Sequence, residues 1–157
     1  MASRVKRPVM LGALVALSSG LGAPVAAAAQ GTAPASEASC SSFSQALLAQ
    51  AYGSTPWQIA PVEQVASDAF QRAVTSEVLQ ALFNQYGDEL GALQEQQSPA
   101  ATVSNGSTAD GPATLCTYHA DGVFQRGTAT IGLVLVQAGA DWQVLRVRMH
   151  DVEHGAS

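Results

Sequence analysis

The sequence predicts an α+β fold, with two to three N-terminal helices packed on a curved antiparallel sheet of about four strands. Three observations support this prediction. Up to Leu90 the apolar residues recur at helical spacing, beyond Leu90 they alternate every second residue, and short Gly- and Asp-containing turns separate the alternating segments. Helices followed by a run of strands indicate a helical layer on an antiparallel meander.

Residues 1–29 have the pattern of a cleavable secretory signal peptide. Arg4, Lys6 and Arg7 precede an uncharged apolar stretch, and small residues up to Ala29 offer a cleavage site. The apolar stretch is shorter than the roughly 20 residues of a membrane-spanning helix. We therefore expect an exported protein with no membrane span after cleavage, located in the bacterial periplasm, with the extracellular space as the alternative.

The remaining chain is acidic. Residues 30–157 contain four arginines, no lysine and twelve acidic residues, which gives a net charge of −8. Such a surface repels phosphate backbones, so we expect no nucleic-acid partner. The length suits one domain, which we place at 42–150 between a flexible Ala-, Ser- and Gly-rich segment at 30–41 and a disordered tail at 151–157.

Helices are predicted in the first half of this domain. Apolar residues at helical spacing occupy 42–52, and a weaker stripe occupies 62–74. The clearest helix follows Thr75, a capping residue, and ends at Gly87. We expect the apolar residues of this helix to lie in the core, namely Leu79, Leu82, Phe83 and Tyr86.

Strands are predicted after Leu90. The elements, in chain order, are a weak edge strand at 91–97, a loop at 98–112 with Asn105-Gly106, a strand at 113–120, a hairpin turn at Asp121-Gly122, a strand at 123–136, a turn at 138–141 and a last strand at 142–149.

Two cysteines remain beyond the leader, Cys40 and Cys116. An even number of cysteines in an oxidising compartment favours a disulfide between them. The alternative is a pair of buried free thiols.

Several segments together resemble the small exported domains of the nuclear transport factor 2-like type. They are Phe70, Thr75-Ser76-Glu77-Val78-Leu79, Leu90-Gly91, Gly127-Thr128-Ala129-Thr130-Ile131 and Asp141-Trp142-Gln143-Val144. The resemblance spans about residues 43–149 and implies helices on a curved sheet with a cone-shaped cavity between them. It does not select among isomerases, dehydratases, ligand-binding domains and dimerising modules, because one fold serves many functions.

No motif predicts a catalytic, cofactor-binding or metal-binding residue. His150-Asp151-Val152-Glu153-His154 matches an inverted zinc-peptidase pattern, but it follows a strand and lacks a third ligand downstream. His119 and Asp121 lie beside the predicted hairpin, close enough in sequence to suggest an acid-base pair. Turn chemistry alone explains an aspartate before glycine at that position.

One strand face is a candidate for a ligand or a partner. In the last strand Trp142, Arg146 and Arg148 alternate on one side, and Tyr118 is a candidate cone residue on another strand. If the arginines face the cone, they and the indole form a site for an acidic ligand. If they face outward, which is the commoner arrangement, they form a solvated surface.

The leading functional hypothesis is a non-enzymatic, exported domain without a cofactor. It binds an unknown small molecule or an envelope protein, or it forms a homodimer through an exposed sheet face that carries Val134, Val136, Trp142 and Val144. One alternative is a cavity enzyme of isomerase or hydratase type that uses His119, Tyr118 or Asp121. Another is a secreted interaction module that uses the loop at 98–112.

Overall fold

The computed structural model of this chain describes residues 36–155. The predicted leader at 1–29, residues 30–35 of the predicted flexible segment, and residues 156–157 lie outside this range. Within it, helices come first and strands follow, which confirms the α+β prediction. The elements are α1 (Glu37–Tyr52), α2 (Ala60–Gln64), α3 (Asp68–Ala73), α4 (Ser76–Leu90), β1 (Leu93–Thr108), β2 (Gly111–Phe124), β3 (Gly127–Ala138) and β4 (Asp141–His154).

The four strands form one antiparallel sheet in the order β1-β2-β3-β4, so each strand pairs with its neighbours in the chain. Side chains of β2 and β3 alternate between buried and more exposed positions. One face of the sheet therefore lies under the helices, and we call the opposite face the outer face. The strands β1 and β4 are the two edges.

Each helix start that carries a cap uses a hydroxyl side chain. Ser36 accepts a hydrogen bond from the backbone N–H of Ser39, Ser67 accepts one from Phe70, and Thr75 accepts one from Val78, as predicted for the last helix. The Ser36 cap moves the start of α1 to Glu37, inside the segment at 30–41 for which we predicted no structure.

The core lies between the helices and the sheet. The helix α1 contacts β1 and β2, whereas α3 contacts β4. The segment before α3 also pairs with the edge strand, because Val144 N–H donates to the carbonyl of Val65 and Ser67 N–H donates to the carbonyl of Val144. These bonds fix the helical layer at that end of β4.

The predicted loop at 98–112 is wrong. Most of it is the second half of β1, and the chain turns at residues 109–110 instead. Asn105-Gly106 pairs with Thr114 and Ala113 within the ladder, because Ala101 and Val103 are partly buried on the helical face and keep the strand in register. Between Gln97 and Ala100 the strand has a register shift, and Ser98 has a positive φ of 51°, but the chain does not reverse there.

The predicted hairpin at Asp121-Gly122 is also wrong, since β2 continues through it to Phe124. The chain reverses at residues 125–126. Gly122 serves a packing role, because a side chain there would collide with Phe124 and Ile131.

The segment at 151–157, which was predicted to be a disordered tail, begins as part of a strand. Residues 151–154 continue β4, where Glu153 pairs with Thr128 and His154 pairs with Gly127. Nowhere in residues 36–155 is there a helix with the length and apolar character needed to span a membrane.

Candidate functional site

The predicted disulfide is present. Cys40 and Cys116 are bonded to each other and both are fully buried. The bond joins the first turns of α1 to the middle of β2, 76 residues further along the chain. It therefore fixes the helical layer to the sheet, and neither cysteine lines the groove described below.

The structure does not bring together the four residues predicted as a ligand or partner face. Trp142 and Tyr118 are buried on the helical face, whereas Arg146 and Arg148 are exposed. The reason is a register shift: Leu135 pairs with Val144 and Val134 pairs with Arg146, so one extra residue lies between the two pairs. This β-bulge reverses the alternation and separates the indole from the guanidinium groups.

Tyr118 has a structural role. Its hydroxyl donates a hydrogen bond to Gln96 Oε1 at 2.8 Å, and Gln96 Nε2 donates to the carbonyl of Gln45 at 3.1 Å. The chain of bonds links β2, β1 and α1. Burial raises the pKa of Tyr118 to about 12, so its hydroxyl stays protonated at neutral pH.

The other predicted chemical groups lie on the outer face or at the end of β4. His119 and Asp121 are exposed, and Asp121 Oδ1 accepts a hydrogen bond from Thr130 Oγ1 at 3.4 Å. His154 Nε2 lies 3.0 Å from Glu89 Oε2, and His150 Nδ1 lies 2.8 Å from Asp151 Oδ2. Across residues 36–155 no group of three or more His, Cys, Asp or Glu side chains is arranged to hold a metal ion.

A groove with mostly apolar walls lies between α4 and β4 and has a volume of about 470 Å³. This volume is in the range of small-molecule sites. From the helical side it is lined by Tyr52, Trp57, Leu79, Leu82, Phe83 and Tyr86. From the strand side it is bordered by Val147, Arg148, Met149 and His150.

Aromatic rings form the inner wall of the groove. The ring of Trp57 lies 4.4 Å from that of Tyr52 and meets Phe83 edge-on at 5.9 Å, measured between ring centroids. Trp57 Nε1 donates a hydrogen bond to the carbonyl of Gly91 at 2.9 Å, and Gly87 packs against the indole. The indole is therefore fixed in place, and the wall exists before any ligand arrives.

Tyr52 contributes a polar group to this apolar wall. The residue is 1 % exposed, and its hydroxyl has no hydrogen-bond partner among residues 36–155. Burial raises the pKa of Tyr52 far above its ordinary value, so the group is a neutral donor. A buried hydroxyl without a partner costs free energy that an acceptor atom in the groove would offset.

Four of the groove residues were predicted from the sequence, but as members of the core. Leu79 and Phe83 are buried as predicted, whereas Leu82 is 44 % exposed and Tyr86 is half-buried, so the prediction for Leu82 is wrong. Val78 is 51 % exposed on the same helix. The apolar stripe of this helix is wider than the sheet beneath it can cover. That excess of apolar residues is the sequence signal that could have indicated a groove.

Fold and site define an α+β domain with helices over a four-stranded antiparallel meander, one buried disulfide and one apolar groove at the sheet edge. Comparison with protein-family models, with curated proteins and with solved structures found no significant match. The interpretation of the groove therefore depends on its own residues.

Proposed function

We propose that this chain is an exported, non-enzymatic domain that binds a small molecule in the groove between α4 and β4. The observation that carries the proposal is Tyr52, which lines this mostly apolar groove and whose buried hydroxyl has no hydrogen-bond partner among residues 36–155. Natural sites for small molecules combine mostly apolar walls with a few polar groups that orient the ligand.

The walls indicate the shape of the ligand. Trp57, Phe83 and Tyr86 offer aromatic surfaces, and Leu79 and Leu82 offer aliphatic ones. Such a site favours a molecule with a flat, apolar body. The hydroxyl of Tyr52 favours a hydrogen-bond acceptor on the part of that body that enters deepest.

Export is supported by two independent features. The leader pattern at 1–29 belongs to secreted proteins, and the disulfide between Cys40 and Cys116 suits an oxidising compartment. We place the mature protein in the periplasm. The order of helices over a meander also supports assignment to the nuclear transport factor 2-like type, which we keep as a proposal.

The alternative functions have less support. The cavity-enzyme hypothesis named His119, Tyr118 and Asp121, and none of them lines the groove. His119 and Asp121 are exposed on the outer face, and the hydroxyl of the buried Tyr118 is bonded to Gln96. The homodimer hypothesis named four residues of an exposed sheet face, and two of them, Trp142 and Val144, are buried under the helices. The outer face retains Val134 and Val136, which are only partly exposed. The interaction-module hypothesis depended on a loop at 98–112, and most of that segment is strand.

The experiment uses the neutral fluorophore N-phenyl-1-naphthylamine as a probe. The Trp142→Phe variant leaves Trp57 as the sole tryptophan, so energy transfer from tryptophan to the probe reports binding at the groove. We expect saturable binding, weakened at least about tenfold by Leu82→Arg, because the probe would then have to share the groove with a charged side chain.

Val78→Arg is the matched control, since Val78 is exposed on the same helix but does not line the groove. It should leave the affinity unchanged. The proposal is wrong if the probe does not bind, or if the two arginine variants have equal effects.

A further inference from the structure

The charge at the groove has the opposite sign from the charge of the domain. Residues 36–155 contain twelve acidic side chains and four arginines, yet no acidic side chain lines the groove. The groove is bordered instead by Arg148, and by His150, whose Nδ1 lies 2.8 Å from Asp151 Oδ2; the positive charge at the groove is that of Arg148. A local positive charge on an acidic domain favours an anionic ligand and disfavours a cationic one.

Arg148 is also available for a ligand. Arg72 pairs with Asp110 at 3.4 Å, and Arg126 donates to the backbone carbonyl of Asp88 at 2.6 Å. By contrast, Arg146 and Arg148 form no ion pair with any residue in the range 36–155. Of these two, only Arg148 borders the groove.

Arg148 lies on the outer face of the sheet, on the edge strand that borders the groove. It lies opposite Gly132 on the neighbouring strand, and Gly132 has no side chain to pack over the stem of the arginine. Since β4 is an edge strand, residues from both of its faces border the groove. Arg148 therefore borders the groove from the edge of the sheet, and Val147 and Met149 line the groove beside it.

We propose that the ligand is an organic anion, with a flat apolar body in the groove and a carboxylate or sulfonate group that binds Arg148. This inference rests on the proposed function and specifies its ligand class. A guanidinium group binds such an oxyanion through two parallel hydrogen bonds, which gives orientation as well as affinity. The aromatic wall around Trp57 holds the body, and Tyr52 meets an acceptor atom at the inner end.

The experiment compares two probes that differ in charge, using the mature Trp142→Phe protein. One is neutral N-phenyl-1-naphthylamine, and the other is 1-anilinonaphthalene-8-sulfonate, which has the same aromatic body and an added sulfonate. We expect the anionic probe to bind about fivefold more tightly at low ionic strength, an advantage typical of an exposed charged hydrogen bond. The advantage should shrink in high salt.

Arg148→Gln should abolish the advantage of the anionic probe and leave the affinity for the neutral probe unchanged. Arg146→Gln is the matched control, because Arg146 is also exposed on the same strand but does not border the groove. It should leave both affinities unchanged.

The inference is overturned if the neutral probe binds but the anionic one has no advantage, or if Arg148→Gln and Arg146→Gln reduce that advantage equally. In either case binding of the neutral probe at the groove would still support the proposed function. If neither probe binds, or Leu82→Arg has no effect on either, the proposed function fails and the ligand class fails with it.

Discussion

Gly122 lies directly against the ring of Phe124 in the core: a Cβ atom at Gly122 would stand 2.7 Å from Phe124 Cε2 and 2.8 Å from Ile131 Cδ1. Both neighbours are buried, so neither can move freely. We expect Gly122→Ala to lower the free energy of unfolding by about 1–3 kcal/mol, as overpacking of a core does. Urea denaturation followed by circular dichroism would measure the change.

Gly132→Ala is the control for that substitution. A Cβ atom at Gly132 would meet its nearest neighbours at 3.8 and 3.9 Å, which is ordinary contact. Alanine is favoured over glycine within a strand, so this variant should be neutral or gain up to about 1 kcal/mol. Equal losses in both variants would show that the steric explanation for Gly122 is wrong.

Gly122 also explains why part of the fold could not be predicted from the sequence. An Asp-Gly pair between apolar segments has the same local pattern whether glycine makes a turn or makes room for a neighbouring ring. The choice depends on Phe124 and Ile131, which meet Gly122 only after the sheet has formed. The order of helices and strands was predictable because it follows from periodicity within each segment.

The candidate site was harder to predict than the fold. The disulfide followed from cysteine number and compartment, and the apolar residues of α4 followed from helical spacing. The faces of β4 could not be predicted from the alternation of its residues, because one extra residue between Val144 and Arg146 reverses that alternation. The groove itself combines α4, Trp57 and β4, and no local pattern places these elements together.

Removing the disulfide should destabilise the protein substantially. The bond between Cys40 and Cys116 closes a loop with a sequence separation of 76 residues. On the chain-entropy model, such a loop contributes about 4 kcal/mol by restricting the unfolded chain. We expect a Cys40→Ala and Cys116→Ala double variant to lose about 2–5 kcal/mol in urea denaturation.

The control is the same denaturation with a reducing agent. The reductant should destabilise the natural sequence and leave the double variant unchanged. A natural protein that is insensitive to complete reduction, with thiol titration confirming two free cysteines, would contradict the predicted contribution.

Stability should also fall in alkaline solution. Burial raises the pKa of Tyr118 from 10.0 to about 12, and the pKa of Tyr52 is raised as well. Between pH 10 and 12 the unfolded chain therefore binds fewer protons than the folded one. The stabilising contribution is complete below pH 10 and is lost as the pH rises, by up to about 1.4 kcal/mol per pH unit for each tyrosine.

Urea midpoints at pH 9 and pH 11 would measure this loss. No lysine occurs in residues 36–155, so lysine titration does not obscure the tyrosine contribution in this pH range. A double variant with phenylalanine at positions 52 and 118 should lose less stability over the same interval. An equal loss in the double variant would assign the alkaline effect to other groups.

The two buried tyrosines should respond in opposite ways to removal of the hydroxyl. Tyr118 donates to Gln96 at 2.8 Å, so Tyr118→Phe should cost about 1 kcal/mol, the net value of a typical hydrogen bond. Tyr52 has no partner within residues 36–155, so Tyr52→Phe removes only a desolvated polar group and should be neutral or stabilising by about 1 kcal/mol. Each variant differs from the natural protein by a single oxygen atom, which makes each a close control for the other. If Tyr52→Phe costs as much as Tyr118→Phe in urea denaturation, then the hydroxyl of Tyr52 already has a partner in the free protein, and the groove does not need a ligand to satisfy it.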